Sequence, residues 1–460
     1  MTSTPVVQYA SRTDVGMRRA ANQDSLAVRL CSDHEEWSRC GHLFVVADGM
    51  GGHAVGDLAS RITIETLPHA YFKRQATSVE SRLREAIMAA NKAINDRGRE
   101  NREFEGMGTT CSVLSLSERG AFVGHVGDSR VYRIRRGQIE QLTFDHSLQW
   151  EMIRLGRATA ENVELFHPRN VITRCLGPDP MVQIDVEGPF SVEAGDHFLL
   201  CSDGLTNHVT DAEIGQIAGS LPPSESSRLL VNLANCRGGS DNSTVIVVGI
   251  DSYPNSAADK LATISESPVL PKTADGLSTH RPGLFKIVMA IIAVLCLIFG
   301  VGLGLANKIP AAAVLVIASV VAWLISRRLG TGDELKTFDI GEPDPLAQLS
   351  SPAENPDAKT TEPNIADLSS SRSAFLTRSP YRVIRSVLSE TMLLNLAEVQ
   401  SELVQAARDS AWKVDFDELS SLSRQAIQAQ QSGKLDRALK PRAKAIDLLM
   451  KELYHRSRPG

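Results

Sequence analysis

Apolar residues fall into three regimes along this chain. Through Ile250, short apolar runs bounded by glycine and polar turns dominate: 43–47 (LFVVA), 121–126, 131–134, His197–Cys201 (HFLLC) and 244–250. Runs of this length, rich in β-branched and aromatic residues, predict strands. Gly108-Thr109-Thr110 opens a further strand with alternating pattern (TCSVLSLS). Three- and four-residue spacing predicts helices over 55–71, 79–97, 147–155 and 224–235. Strands and helices mix without strict β-α alternation, so the expected class for residues 1–252 is α+β.

Beyond that point the pattern changes. Residues 253–283 are rich in Ser, Ala, Thr and Pro and read as a linker. Residues 287–306 then run for twenty positions without a charge, enough for a helix to cross ~30 Å of hydrocarbon. Asn307-Lys308 separates them from a second apolar run, 309–326, in which Pro310 occupies the first turn, where its missing N–H is harmless. The expected arrangement is a two-helix transmembrane hairpin over 284–328, a buried hairpin of a soluble domain being the alternative. Arg281 and Lys286 flank its entry and Arg327-Arg328 its exit, against Lys308 alone in the turn. That charge bias places both flanks on the cytoplasmic side. Residues 329–380 read as a disordered polar linker. From Tyr381 helical spacing returns through Val383, Ile384, Val387, Leu388, Met392, Leu393, Leu396, Val399, Leu403 and Val404, with further helices over 418–431 and 435–454, broken near Gly433. Residues 381–460 are expected to be a helical module that binds a protein partner or self-associates, or else a packed structural helper.

Composition narrows the function. The 460-residue chain carries a net charge of −5 with pI ≈ 6.2, and no basic run with interleaved aromatics suggests a nucleic-acid partner. Its 7 cysteines are scattered, with no Cys-x-x-Cys pair, so neither a zinc knuckle nor a disulfide framework is expected. They read as reduced thiols of a cytoplasmic domain.

The chemistry lies in the turns that end the strands. Asp48-Gly49-Met50-Gly51-Gly52-His53 follows one apolar run, Ser202-Asp203-Gly204 follows another, and Ser240-Asp241-Asn242 precedes a third. Carboxylates at strand ends converge if the strands share a sheet or a sandwich. Hard oxygen donors of this kind suit Mg²⁺ or Mn²⁺ rather than zinc. Glycine allows close backbone approach to a ligand and leaves its carbonyl as a further donor. Arg19-Ala20-Ala21-Asn22-Gln23-Asp24, Gly127-Asp128-Ser129-Arg130 and Asp145-His146-Ser147 complete the set.

In this order the motifs resemble the metal-dependent protein phosphatases of type 2C in their bacterial form, over residues ~8–250. The resemblance implies a four-layer β-sandwich flanked by helices and a binuclear Mn²⁺/Mg²⁺ centre. Asp48 would bridge the metals, the Gly49 carbonyl would ligate one, and Asp203 and Asp241 would hold the first. Asp24 would act beside them or through water, Asp128 would serve a third, weaker site, and Arg19 would grip the substrate phosphate through its rigid, permanently charged fork. The implied reaction is hydrolysis of phosphoserine and phosphothreonine by in-line attack of a metal-bridging water. Residues 146–180 match the family's flap beside the active site.

Three positions depart from the family pattern. Gln23 replaces a common Glu, Asn207 falls where some members place a carboxylate for the third metal, and Met50 stands where the DGHGG form has a histidine. A thioether cannot donate a proton, which leaves His53 or metal-bound water as the general acid; a structural His53 is the other reading. The expected protein is a bacterial inner-membrane phosphatase with two spans, lipid around its hairpin, and its catalytic domain and C-terminus in the cytoplasm. Its expected partners are phosphorylated proteins, among them a serine/threonine kinase. The alternatives are a catalytically inactive scaffold of the same fold and a two-metal phosphodiesterase.

Overall fold

The computed structural model describes residues 4–51, 55–73, 78–155, 157–158, 171–253 and 383–457, all within one compact unit. The expected hairpin, both linkers and His53 lie outside the described residues. Among the described residues no helix is long and apolar enough to cross a membrane.

Among the described residues, twelve strands form two antiparallel sheets. One runs β1 (Val6–Asp14), β11 (Ser243–Ser252), β10 (His197–Cys201), β7 (Arg130–Arg135), β8 (Gln138–Gln141), β12 (Val383–Arg385). The other runs β2 (Asp24–Arg29), β3 (His42–Met50), β5 (Cys111–Ser117), β6 (Gly120–Val126), β9 (Asp185–Phe190), with β4 (Gly108–Thr109) paired to the end of β3. The apolar runs are unbroken because both faces of each sheet are covered. In β3, Phe44 and Val46 pack between the sheets, while Leu43 and Val45 face helices α2 (Val55–Lys73) and α3 (Val79–Glu100). In β10, Phe198 and Leu200 point between the sheets, while Leu199 and Cys201 face the opposite helical layer. Period-two alternation persists, but both sets are apolar.

Helix α1 (His34–Cys40) was not signalled by periodicity, although the Asp33 carboxylate caps it by accepting from the Glu36 amide at 2.8 Å. The remaining helices of this part are α4 (Leu148–Arg154), α5 (Asp203–Thr206), α6 (Asp211–Ser220) and α7 (Pro223–Cys236). Helix α6 is likewise not among the expected helices, yet it opens on a complete capping box between Thr210 and Glu213 and buries Ile214, Ile217 and Ala218.

The C-terminal part differs from expectation at its start. Val383–Arg385 is a strand, not helix, because it pairs antiparallel with β8, Ile384 opposite Ile139, and extends the sheet edge. Tertiary pairing here overrides local spacing. Helices α8 (Glu390–Asp409), α9 (Phe416–Gln431) and α10 (Leu435–Ser457) follow, with Gly433 at φ 69° in the turn between the last two. Leu393, Leu396, Leu439, Ile446 and Leu449 share one core with Leu230 and Leu233 of α7 and with Val245 and Val247 of β11. Of the two readings of this segment, packing against the sandwich is therefore a structural fact.

Candidate metal centre

Strand register brings the predicted residues to one end of the sandwich. Asp24 opens β2 directly opposite Asp48 near the end of β3. The Asp48 backbone is pinned on both sides: its amide donates to Thr110 Oγ1 at 2.9 Å, and its carbonyl accepts from the Thr110 amide at 2.8 Å and Thr109 Oγ1 at 2.9 Å. Strand β6 ends at Val126, opposite Cys111. The chain does not turn back into the same sheet there. Gly127-Asp128-Ser129 carries it across to the other sheet, where Arg130 opens β7 opposite Cys201. Asp203 follows two residues after Cys201. Asp241 precedes β11, whose Val245 pairs with Cys201 and whose Ser243 pairs with Asp14. The turn after Asp14 carries Arg19.

Four of these acids are held above the ordinary carboxylate range. Burial, then the charges of Asp24, Asp203, Asp128 and Asp241, push Asp48 well above the usual carboxylate range. Burial is also the main cause that raises Asp24 to about 7, with Asp203 and Asp241 adding to it and hydrogen bonds from Ser202 and Thr244 opposing it. Asp128 rises to about 8 through burial, then Asp203 and Asp145. Asp203 is raised by burial and then by Asp241.

Whether these residues fit a pair of divalent cations can be tested on their atoms. Asp24 Oδ1, Asp128 Oδ1 and Asp203 Oδ1 are buried with no hydrogen-bond partner. Buried carboxylate oxygens are costly unless paired, hydrogen-bonded or ligated to a metal. Among the described residues no three His, Cys, Asp or Glu side chains are gathered tightly enough to form a ready cation cage. The fit therefore rests on the unpartnered oxygens, their burial and the all-oxygen donor set, and on those grounds Mg²⁺ or Mn²⁺ fits.

Close backbone approach explains the glycines. A Cβ on Gly49 would lie 2.0 Å from the Gly56 carbonyl oxygen, and one on Gly204 would lie 1.9 Å from that of Asn242. Both glycines thus let two site loops touch, a role the sequence reading had given to ligand approach.

Arg19 Nη2 donates to Asp241 Oδ2 at 2.7 Å, and its side chain is 48% exposed. It is thus paired with an expected metal ligand while remaining open to solvent. Asn207 Nδ2 donates to Asp203 Oδ2 at 3.2 Å, so it orients a neighbouring acid. Asp145 is held by Arg130, whose Nε and Nη2 approach it at 2.9 and 2.6 Å. His146 accepts from the Gly127 amide at Nδ1 (3.0 Å) and faces Asp185 Oδ2 through Nε2 (2.9 Å), which secures the loop carrying Asp128. His53 lies outside the described residues. Met50 sits opposite Gly108 at the β3–β4 pairing.

Two contributors were missed. Ser202 Oγ donates to Asp24 Oδ2 at 2.7 Å. Asn242 Oδ1 accepts from the Gln23 amide at 2.8 Å, while Nδ2 donates to the carbonyls of Val15 at 2.9 Å and Ala21 at 3.0 Å, tying the Arg19 loop to the Asp241 loop. Each is the sequence neighbour of a recognised aspartate, which is the signal that could have found it.

This carboxylate-lined end of a double-sheet sandwich defines a hydrolase site of the metal-dependent phosphatase class. The Protein phosphatase 2C family description matches residues 17–232. Protein phosphatase PhpP of Streptococcus pneumoniae is 37% identical over 245 residues, covering 52% of this chain and 96% of that protein. Serine/threonine phosphatase stp of Listeria monocytogenes is 36% identical over 247 residues, covering 52% of this chain and 94% of that protein. The crystal structure of the Mycobacterium tuberculosis serine/threonine phosphatase PstP/Ppp aligns at 34% identity and TM-score 0.48, over 53% of this chain and 99% of that one. A PstP catalytic domain crystallised with 2 manganese ions aligns at 33% identity and TM-score 0.46, over 54% and 99%. The chain belongs to the protein phosphatase 2C family, and it is an enzyme of the protein serine/threonine phosphatase type.

Proposed function

We propose that this chain hydrolyses phosphoserine and phosphothreonine in proteins with two Mn²⁺ or Mg²⁺ ions, and that it does so from the cytoplasmic face of a bacterial inner membrane. The observation that carries the chemical part is the convergence of Asp24, Asp48, Asp128, Asp203 and Asp241 at one end of the sandwich, three of them with buried, unpartnered oxygens. Asp48, Asp203, Asp241 and the Gly49 carbonyl would hold the two cations, Asp24 would support them from its seat on Ser202, and Asp128 would serve a third, weaker site. Bound there, the cations would neutralise phosphate charge and activate water for an in-line displacement.

The residues of the chain do the rest. Arg19 reaches the phosphate with a fork suited to two of its oxygens, while Asp241 fixes the direction of approach. The Asn242 bridge holds the Arg19 and Asp241 loops in one register. His53, five positions after Asp48 in the sequence, is our candidate proton donor to the departing serine or threonine oxygen, since Met50 has no proton to give.

Arg19→Ala is expected to raise KM for a phosphothreonine peptide by about tenfold with a smaller change in kcat, because the group removed binds phosphate in ground state and transition state alike. Parallel assays with a bis-ester separate the phosphodiesterase alternative, which predicts that the bis-ester is the better substrate. An unchanged KM would remove Arg19 from its assigned role.

The membrane part of the reading rests on the two uncharged runs and on Arg281, Lys286, Arg327 and Arg328 outside them. Full-length protein is expected in the membrane fraction, with residues 255–275 inaccessible to impermeant thiol or protease probes in intact spheroplasts. External labelling of an introduced cysteine there would invert the topology, and recovery in the soluble fraction would remove the hairpin. A cytoplasmic phosphatase domain meets the products of cytoplasmic kinases, so the partner class is kinase-phosphorylated protein, the kinase itself included.

A further inference from the structure

Helix α10 is linked through Tyr454 and Asn235 to the loop that carries Arg19 by hydrogen bonds and to the loop that carries Asp241 by close contact. Helix α10 packs along α7, with Arg228 Nη1 on Asp447 Oδ2 at 3.0 Å, Lys440 on Glu225 at 3.0 Å and Cys236 Sγ near Met450 Sδ at 3.2 Å. Near its end, the Tyr454 hydroxyl donates to Asn232 Oδ1 and accepts from Asn235 Nδ2, both at 2.9 Å. Asn235 is buried at the C-terminal end of α7, and its Nδ2 also donates to Asp14 Oδ1 at 3.0 Å. The same Asp14 oxygen accepts the Gly16 amide at 2.9 Å, closing the turn that leads to Arg19.

A second thread runs through the other end of the Asn235 amide. A Cβ on Gly239 would meet Asn235 Oδ1 at 2.8 Å, so this oxygen lies against the Gly239 backbone. The Gly239 carbonyl accepts the amides of Met17 at 2.8 Å and Arg18 at 3.2 Å, beside Arg19. Gly16 in turn sits against the Asp241 carbonyl oxygen, 2.2 Å from where a Cβ would be. Asn235 thus touches both loops of the Arg19–Asp241 pair, and Tyr454 shares with Asp14 the hold on its Nδ2.

We infer that Tyr454 is a positioning residue for the phosphate-binding side of the site, so that the docked C-terminal helices set the placement of Arg19 and Asp241. This rests on the roles proposed above for those two residues. The amide of Asn235 can flip or swing once the hydroxyl that orients it is gone, and both loops then lose a shared anchor. A partner that pulled α10 from α7 would act on the site through the same contact.

Hydrogen–deuterium exchange on the full-length, metal-free protein tests the link without reference to activity. Tyr454→Phe keeps the ring and its packing and removes only the hydroxyl. Exchange in peptides spanning 14–19 and 236–243 is expected to quicken by about three- to tenfold, the range for one lost hydrogen bond. Peptides spanning 43–47 and 390–409 should be unchanged. In the active protein, KM for a phosphothreonine peptide should rise in step, with kcat altered less. Wild-type exchange at 14–19 and 236–243 would overturn the inference. So would equal loosening of 390–409, which would make Tyr454 a packing residue only. Because exchange is read without metal or substrate, a failed catalytic reading would leave this result interpretable, and the reverse also holds.

Discussion

Asp203→Asn and Asp241→Asn are each expected to lower kcat on a phosphothreonine peptide by about 10²–10³-fold, because losing one carboxylate removes several kcal/mol of transition-state charge stabilisation. Neither change should unfold the protein. Asp203 lies at the start of a short helix against Gly204, and its Oδ1 makes no hydrogen bond that the amide would break. Asp241→Asn also releases Arg19 from its ion pair, so this variant should show a shifted KM in addition to the kcat loss. Steady-state kinetics at saturating Mn²⁺, with circular dichroism to verify the fold, measures both. Turnover within tenfold of wild type in either variant would take that residue out of the metal set.

The second large effect concerns stability without metal. Asp24 is raised to about 7 and Asp128 to about 8, chiefly by burial, from an ordinary value of 3.8. A raised folded-state value means the folded chain holds the proton more tightly than the unfolded chain. The corresponding stability is complete below 3.8 and is lost as pH rises through about 7 and then about 8. For Asp24 the difference corresponds to about 4 kcal/mol at most, shared among coupled neighbours. His42 and His125 are lowered by burial, to about 4 and about 3, and act in the opposite sense only below their ordinary 6.5. Between pH 6.5 and pH 8.5 the acids therefore set the slope.

EDTA-treated protein should melt progressively lower across that window. Asp24→Asn or Asp128→Asn should flatten the fall, and saturating Mn²⁺ should abolish it, since a ligand of the folded state stabilises by mass action. Thermal melts monitored by circular dichroism give all three. A melting temperature that holds steady or rises with pH in EDTA would contradict the raised proton affinity that burial gives these acids. Residues that weaken the empty fold would then be the ones that serve the proposed chemistry, a trade-off common at functional sites.

Much of the site was legible because each acid sits where a strand stops. Asp48, Asp203 and Asp241 adjoin apolar runs whose register alone determines which end of the sandwich they occupy. The crossing at Gly127-Asp128-Ser129 was less visible: consecutive strands usually pair, and here they lie in different sheets. Gly49 and Gly204 were read as sites of close approach, and they are, but between backbones. Val383–Arg385 was read as helix since its apolar spacing fits one, and only the open edge of β8 makes it a strand. Helix α6 is short but not patternless: Ile214, Ile217, Ala218 and Leu221 keep helical spacing behind its capping box, and a run of ten residues with two glycines is easily passed over as loop. The Tyr454–Asn235–Asp14 chain left no sequence trace, as it joins three polar residues from distant parts of the chain.

The central claim is that the converging carboxylates act by holding divalent cations. It is tested most directly by hydrolysis of a phosphothreonine peptide by full-length protein stripped with EDTA, dialysed, and titrated with Mn²⁺ while binding is followed by calorimetry. The account predicts loss of turnover on stripping, its recovery on titration, and at least two Mn²⁺ bound per chain in the range over which activity returns. Substantial turnover by the stripped protein, or recovery with no Mn²⁺ bound, would contradict it.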